Sequence, residues 1–269
     1  GGWNADWERD LVGSRTVITP PADKRRKLPC IYMDTKFNTI HGFDLTGGSA
    51  GIVADPNCSG TNDSTADHCE LACLIVTNNV NGLDFSKSFP GVALASSLIA
   101  DNEGYGYYHF ANLFSDRGAR DYFYNCTFAR NGAEGIRRGT RGSYATVRNC
   151  VFDGNGVGVR IYMSGYPMSV YASCFGNSVT SSFMSVSIAA GGDSPATFYR
   201  GAMFAPPQLD AAYAPTAASP FLGRGENLVQ DAVYGFGTDV YGRLWDGVWD
   251  YGCIKSSFAA RTPAAYGMS

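Results

Sequence analysis

The sequence predicts an all-β solenoid, a fold in which short strands of one chain stack coil upon coil. The residue pattern of a recurring phrase and its near-constant spacing predict this fold, together with a composition rich in glycine and aromatic residues and poor in charge. In the phrase, a small or sulfur-bearing residue is followed two places later by an apolar one, and an asparagine comes soon after. Its five copies begin at Cys73, Ser97, Cys126, Cys150 and Cys174, at steps of 24, 29, 24 and 24 residues. A period too short for a domain and carried by strand-forming residues indicates a solenoid.

The alternation within each phrase predicts which residues face inward. Its first and third residues are small or apolar, as in Cys126 and Phe128, which is typical of a strand with one buried face. Stacked strands lie about 4.8 Å apart, so equivalent residues should form columns. Phe43 and Leu45 are expected to continue the column of Cys73 and Ile75. The interior is expected to hold the following cysteines: Cys73, Cys126, Cys150 and Cys174.

A column of asparagines is predicted where the chain turns between strands. Asparagine tolerates left-handed backbone geometry and bonds to neighbouring peptide groups, so it suits such corners. Stacked amides can also hydrogen-bond to the coils above and below. Glycine follows several of these residues, as in Asn131-Gly132, and permits tight turns. The predicted members are Asn78, Asn102, Asn131, Asn155 and Asn177.

Two tetrapeptides carry a resemblance to a known family. Asn125-Cys126-Thr127-Phe128 and Asn149-Cys150-Val151-Phe152 resemble the repeat of right-handed parallel β-helix proteins of the pectate-lyase-like superfamily, whose coils commonly read Asn-Cys-x-Phe-x-x-Asn. The opening at 1–10 and the closing segments at 219–221, 238–243 and 249–254 resemble segments of secreted bacterial surface β-helix proteins. The resemblance implies a right-handed parallel β-helix, a single-stranded solenoid, over residues 1–269. Coils would occupy about 16–204, and an irregular C-terminal cap 205–269.

Bulk properties exclude some partners. The formal net charge of −3 gives no global attraction to nucleic acid or to an anionic membrane. The sequence has no run of 18 apolar residues, so no membrane span is expected.

The polar insertion at 54–70 suggests two further features. Cys58 and Cys69 are the favoured disulfide pair, with Cys30, Cys73 or Cys253 as competing partners, and a disulfide there would imply an extracellular setting. The insertion also carries carboxylates that could bind calcium, although they lack the spacing of a calcium loop, so no cofactor is otherwise expected. Those carboxylates are Asp55, Asp63 and Asp67.

Two groups of residues are candidates for chemistry. The first lies on the excursion at 103–122, which stretches one step of the repeat and contains the candidate catalytic residues. They are His109, Asp116, Arg117, Arg120 and Asp121. The second is a strip that would bind an anionic or sugar substrate, for which the alternative is that the arginines only cover an outer face. Its members are Arg137, Arg138, Arg141, Arg160, Tyr105, Tyr107 and Tyr108.

Three functions follow as hypotheses, and the weakest of them is carbohydrate binding without turnover. The first is an extracellular, secreted β-helix protein that serves as a structural, adhesive or filament-forming surface unit and contacts carbohydrate. Uncovered end coils expose unpaired strand edges, so self-association by coil stacking is the expected partner interaction. The alternative is a polysaccharide lyase or glycoside hydrolase acting on an extracellular polysaccharide, through the excursion and the strip.

Overall fold

The computed structural model describes most of the chain. The described residues are 15–34, 38–54, 68–86, 91–109, 120–138, 144–161, 168–176, 199–231, 235–245, 247 and 249–257.

Short strands dominate the described structure, with one 3-10 turn at Ala22–Lys24. In chain order the strands are β1 (Thr16–Ile18), β2 (Ile31–Met33), β3 (Thr39–His41), β4 (Phe43–Thr46), β5 (Ala50–Ala54), β6 (His68–Ala72), β7 (Ile75–Thr77), β8 (Asn81–Asp84), β9 (Gly91–Ala95), β10 (Leu98–Ala100), β11 (Tyr107–His109), β12 (Arg120–Tyr124), β13 (Thr127–Ala129), β14 (Glu134–Arg138), β15 (Tyr144–Arg148), β16 (Val151–Asp153), β17 (Val157–Ile161), β18 (Met168–Tyr171), β19 (Cys174–Phe175), β20 (Tyr199–Arg200) and β21 (Met203–Phe204).

These strands form three parallel sheets. Sheet 1 has the order β1-β4-β7-β10-β13-β16-β19-β21, sheet 2 the order β2-β5-β8-β11-β14-β17, and sheet 3 the order β3-β6-β9-β12-β15-β18-β20. The chain passes through sheets 1, 2 and 3 in turn and then begins the next coil, so each strand pairs with its equivalents one coil away. Leu98, for example, pairs with Ile75 on one side and Thr127 on the other. The predicted parallel β-helix is confirmed.

Aromatic side chains stack through the interior along sheet 1. The ring centroids of Phe128 and Phe152 are 5.2 Å apart, and those of Phe152 and Phe175 are 4.8 Å apart, with the ring planes within 6° of parallel. All three rings are fully buried. The column of like residues predicted from the Cys-x-Phe phrase therefore exists at these positions, and stacking in register supplies much of the apolar burial of each coil.

A left-handed corner between sheets 3 and 1 corrects part of the predicted register. One residue per coil has positive φ there, from 41° at Ala172 to 75° at Gly42. Cys73 occupies this corner (φ 52°), so Leu74 takes the interior position beside Ser97, Cys126 and Cys150. The inward column along sheet 1 is Leu74, Ser97, Cys126, Cys150 and Ser173.

Two other residues lie one position away from their predicted register for the same reason. Cys174 pairs with Val151 and faces outward, where Phe221 and Tyr251 bury it. Leu45 pairs with Val76 and not with Ile75. Cys73 and Cys174 are thus buried thiols on the outer side of the coils, whereas Cys126 and Cys150 lie in the main core. A one-residue slip sends a side chain to the opposite face of a strand, which explains these differences.

The asparagine ladder also differs by one position at its N-terminal end. Asn79, and not Asn78, is the member in its coil: its Nδ2 donates to Oδ1 of Asn102 at 3.2 Å, while Asn78 is exposed with φ 56°. The ladder continues through Asn131 (2.9 Å from Asn102 Nδ2) and Asn155 (2.8 Å from Asn131 Nδ2). Asn177 lies outside the described residues. A second, shorter amide contact joins Asn149 to Asn125 at the other corner, at 3.0 Å.

The segment from 205 onward lies along the side of the helix. Leu228, Trp245 and Trp249 cover the outer face of sheet 3, and Tyr213, Val240 and Ile254 cover that of sheet 1. The segment predicted as a cap is irregular as expected, and it extends over several coils.

Polar contacts hold this segment in place. Arg15, before the first strand, donates to the carbonyl oxygens of Val240, Phe43 and Cys73, and so ties the segment to the early coils. The carboxylate of Asp239 accepts hydrogen bonds from the backbone N–H groups of Tyr241, Arg243 and Lys255. This accounts physically for the Asp-x-x-Gly phrase at 239–242, because the buried carboxylate organises the turn.

Cys69 is not part of a polar loop. It is a fully buried side chain on β6 in the main core, and no disulfide joins the cysteines in the described part of the chain. The predicted Cys58–Cys69 disulfide is therefore not supported, and Cys58 itself lies outside the described residues. Burial raises the pKa of the Cys126 thiol, with a further contribution from Cys150. Such thiols behave as small apolar groups.

Candidate functional site

The outer face of sheet 2 brings together four of the residues predicted for the strip. Tyr108 on β11, Arg137 on β14 and Arg160 on β17 occupy one register position on successive coils. Tyr105 precedes β11, and its ring centroid is 4.9 Å from that of Tyr108. The strands' period of two places these side chains on the face opposite the core. We call Tyr105, Tyr108, Arg137 and Arg160 the sheet 2 strip.

The guanidinium of Arg137 lies over both tyrosines of the strip. Its Cζ is 4.7 Å from the ring centroid of Tyr105 and 5.1 Å from that of Tyr108, and its Nη1 donates a hydrogen bond to the Tyr105 hydroxyl. Cation–π contacts of this kind contribute about 0.5–1 kcal/mol at exposed sites. The three side chains therefore form a pre-arranged surface of two aromatic rings around one planar cation.

Two carboxylates adjoin the strip, and the sequence analysis did not single them out. Asp84 on β8 pairs in register with Tyr108 and accepts a hydrogen bond from the Ser86 N–H at 2.9 Å. Glu134 at the start of β14 lies 3.1 Å from Nε of Arg160. Asp84 could have been found from the sequence, because it is an acidic residue at the same register position as the residues of the strip. Glu134 pairs with the guanidinium of Arg160, and Asp84 is a second carboxylate beside the strip.

Four other candidates form a cluster inside the helix. Tyr107 and His109 on β11, Asp121 on β12 and Arg138 on β14 meet at the corner between sheets 2 and 3. The Asp121 carboxylate lies 2.7 Å from Nε of Arg138 and 3.0 Å from Nδ1 of His109, and it accepts from the Val92 N–H at 3.2 Å. His109 and Asp121 have 0% exposure. We call these four residues the corner cluster.

The electrostatics of the corner cluster follow from this geometry. Burial by itself would raise the pKa of the Asp121 carboxyl, but the charges of Arg138 and His109 and their hydrogen bonds outweigh it, and the pKa lies well below its usual range. Since an ionised carboxylate only accepts, the His109 proton facing it sits on Nδ1. Burial, and then the Asp121 charge, raises the pKa of Tyr107. The cluster is a buried ion pair with hydrogen-bonded neighbours, an arrangement that fixes three coils relative to one another.

The remaining predicted site residues fall elsewhere. Arg120 is exposed at the first position of β12. Several predicted positions lie outside the described residues: Asp55, Asp63 and Asp67 for calcium, Asp116 and Arg117 for catalysis, and Arg141 for binding. Among the residues that the structure describes, no group of three or more His, Cys, Asp or Glu is arranged to hold a metal ion. As functional assignments, all these residues remain predictions.

A cleft of about 290 Å³ opens between two turns of the C-terminal segment, where Asp210, Tyr241, Arg243 and Lys255 contribute to its wall. Its cations already have partners: Nε of Arg243 donates to Asp239 at 2.7 Å, and Nζ of Lys255 donates to the Leu244 carbonyl at 3.0 Å. The cleft is therefore a feature of how these turns pack.

Comparison with known proteins agrees with the architecture. The model of a family described as the right-handed beta helix region matches residues 29–201. No curated protein and no solved structure gives a significant match to the chain. Over the described ranges, no helix has the length and apolarity needed to cross a membrane. With the match covering more than half of its length, and with three parallel sheets wound coil upon coil, the chain belongs to the right-handed β-helix family.

Proposed function

We propose that this chain is an extracellular β-helix protein that contacts carbohydrate through the sheet 2 strip without turning it over, as a structural, adhesive or filament-forming surface unit. The observation that carries the proposal is the guanidinium of Arg137 held over the rings of Tyr105 and Tyr108 on the outer face of one sheet. Among the described residues, the apolar clusters made by the C-terminal segment involve sheets 1 and 3 and leave this face out.

The chemistry of the strip suits a sugar with an acidic group. Tyrosine rings offer apolar surface for the C–H faces of a sugar ring and a hydroxyl for its polar edge. A guanidinium offers paired N–H donors that match a carboxylate or sulfate group. Because equivalent residues repeat about every 4.8 Å along the helix, an extended polymer lying along the axis would meet Tyr108, Arg137 and Arg160 in succession.

The absence of turnover is proposed on the position of the acids and bases. A glycosidase needs two carboxyl groups beside the scissile bond, and a lyase needs a base that reaches the substrate. His109 and Asp121 are enclosed by the core, Glu134 is paired with Arg160, and the half-buried Asp84 accepts a hydrogen bond from the Ser86 N–H. These positions support binding over catalysis for the described part of the chain.

A glycan-binding assay tests the proposal. The purified protein is presented to uronate-containing, sulfated and neutral polysaccharides, and binding is compared among the parent chain, Arg137→Ala and Tyr108→Phe. We expect Arg137→Ala to weaken binding to an acidic polysaccharide about tenfold, and Tyr108→Phe to weaken it less, since the ring remains. Arg130→Ala is the matched control, because Arg130 also stacks on a tyrosine, Tyr213, at 4.2 Å, but on the side covered by the C-terminal segment.

The same samples distinguish the alternatives. New reducing ends or unsaturated products that vanish in Arg137→Ala would replace the binding role with a lyase or hydrolase. Equal weakening by Arg137→Ala and Arg130→Ala would show that the sheet 2 strip is not the binding face. Electron microscopy of the concentrated protein tests the filament-forming role, which predicts ordered polymers built by coil stacking.

A further inference from the structure

The buried asparagine ladder contains two Asn-Gly sequences, Asn131-Gly132 and Asn155-Gly156. Asn-Gly is the dipeptide most prone to deamidation in flexible chains, because glycine leaves its own nitrogen sterically free. A third Asn-Gly, Asn81-Gly82, starts strand β8 and lies outside the ladder. The protein thus carries three chemically equivalent sites in two different structural settings.

We infer that Asn131-Gly132 and Asn155-Gly156 are covalent modification sites that become reactive only when the coils separate, and that deamidation there prevents the chain from refolding. The ladder thereby makes unfolding irreversible over time. The proposal concerns the ladder alone and does not depend on the sheet 2 strip.

The reaction has defined atomic requirements. The deprotonated backbone nitrogen of the glycine attacks Cγ of the asparagine, the C–N bond to the side-chain amide breaks, and ammonia leaves. The resulting succinimide adds one water and opens to aspartate or isoaspartate. The attack requires a free glycine nitrogen and a side chain able to rotate its Cγ toward it.

In the folded chain both requirements fail at Asn131. The Gly132 N–H donates to the carbonyl of Asn102 at 2.9 Å, which withholds the nucleophile. The side-chain Oδ1 accepts from Nδ2 of Asn102 at 2.9 Å, while its own Nδ2 donates to the Ile99 carbonyl at 3.0 Å and to Asn155 at 2.8 Å. The Asn131 side chain is also almost fully buried, so water has no access to it.

Asn155 is held in the same way. The Gly156 N–H donates to the Asn131 carbonyl at 3.1 Å. The Asn155 Nδ2 donates to the Phe128 carbonyl at 2.8 Å, and its Oδ1 accepts from Asn131 at both the backbone and the side chain. Opening either site therefore requires separating neighbouring coils, and the reaction rate should follow the population of that opened state.

The product cannot re-enter the ladder. At position 131, deamidation replaces the Nδ2 donor with an anionic oxygen that would face two acceptors, the Ile99 carbonyl and Oδ1 of Asn155. Like partial charges in a buried site are strongly unfavourable, and isoaspartate also adds a methylene to the main chain. At Asn81 the Gly82 N–H is likewise held, since it donates to the Tyr105 carbonyl at 2.7 Å, so the folded chain withholds this nucleophile too. The Asn81 side chain differs, because it is only half-buried and its Oδ1 serves as an acceptor for the Tyr105 N–H at 3.3 Å. A carboxylate at position 81 keeps that contact.

The test uses Asn81 as an internal standard for the effect of the modification on refolding. The full chain is aged in mildly alkaline buffer with and without guanidinium, and each Asn-Gly site is quantified by peptide mapping and mass spectrometry. In denaturant all three sites should react at similar rates. Without denaturant, Asn131 and Asn155 should slow on the order of a hundredfold or more, and Asn81 should slow as well, because the Gly82 N–H is hydrogen-bonded in the folded chain. The sample aged in denaturant is then diluted to refold, and folded and unfolded fractions are separated.

Modified residues 131 and 155 should be depleted from the folded fraction, whereas the aspartate form of residue 81 should distribute evenly. The variants N131D and N81D provide the matched pair, with refolding impaired only for N131D. Equal rates at positions 131 and 155 with and without denaturant would overturn the claim of protection. An even distribution of modified residue 131, or normal refolding of N131D, would overturn the claim of irreversibility.

Discussion

Removing the carboxylate of the corner cluster, with Asp121→Ala, should destabilise the protein strongly. Asp121 is fully buried and balances the charge of Arg138, whose side chain is 4% exposed, at 2.7 Å. The substitution removes the Asp121 charge that faces a buried guanidinium and also removes an acceptor for His109 and for the Val92 N–H. Breaking one side of a buried ion pair costs about 3–5 kcal/mol. We therefore expect the free energy of unfolding to fall by about 4 kcal/mol.

Guanidinium unfolding followed by tryptophan fluorescence and circular dichroism measures this loss. Arg120→Ala is the matched control, since Arg120 is the exposed neighbour of Asp121 on the same strand and should change stability by about 0.5 kcal/mol or less. A loss below about 1 kcal/mol for Asp121→Ala would refute the structural role assigned to the corner cluster. An unchanged stability together with loss of activity on a polysaccharide would instead support a catalytic role for His109 and Asp121.

Further predictions concern stability at low pH, the asparagine ladder and the C-terminal segment. The pKa of Asp121 is lower in the folded than in the unfolded chain, so the stability that Asp121 contributes is present above the unfolded pKa and is lost as pH falls toward the folded pKa. The midpoint of unfolding by guanidinium chloride should therefore drop between about pH 5 and pH 3, and it should drop less steeply in Asp121→Asn. Asn79→Ala should lower the free energy of unfolding by about 1–3 kcal/mol, because the Asn79 side chain hydrogen-bonds with five other residues, whereas Asn78→Gly, at an exposed and left-handed position, should be nearly neutral in the same titration. Trp249→Ala should cost about 3–5 kcal/mol, because this buried ring packs on sheet 3 and on Trp245, while Leu244→Ala, at 70% exposure, should leave the thermal midpoint unchanged. Equal effects of the paired variants would contradict the positions assigned to them.

The register of the coils shows where the sequence was informative and where it was not. The tetrapeptides at 125–128 and 149–152 predicted their column correctly, because a large aromatic fixes which face of a short strand is inside. At Cys73 and Cys174 the prediction was wrong by one position. The interior column accepts Leu74, Ser97 and Cys126 alike, and the left-handed corner accepts Cys73 as well as asparagine, so residue identity alone did not reveal the corner.

The candidate site residues lie on two opposite faces of their strands for a similar reason. Tyr107, Tyr108 and His109 are consecutive on one strand, and their alternation sends Tyr107 and His109 into the core and Tyr108 to the surface. Arg137 and Arg138 divide in the same way, with Arg138 inside. The sequence placed these residues in one neighbourhood. Which of them share a face depended on the exact strand boundaries, which sequence patterns define least well.

By itself, the sequence determined that the chain coils, because a repeating strand with one apolar side can bury that side only against its own copies one coil away. It also placed the amide ladder to within a residue, since stacked amides can hydrogen-bond from coil to coil, although the left-handed position is the residue before each ladder asparagine, as at Asp101 and Arg130. The tertiary structure decided the rest: that Asp121 meets Arg138 and Val92 from other coils, and that the C-terminal segment covers two sheets and leaves the sheet 2 strip outside. Those contacts join residues far apart in sequence through packing that no local pattern encodes.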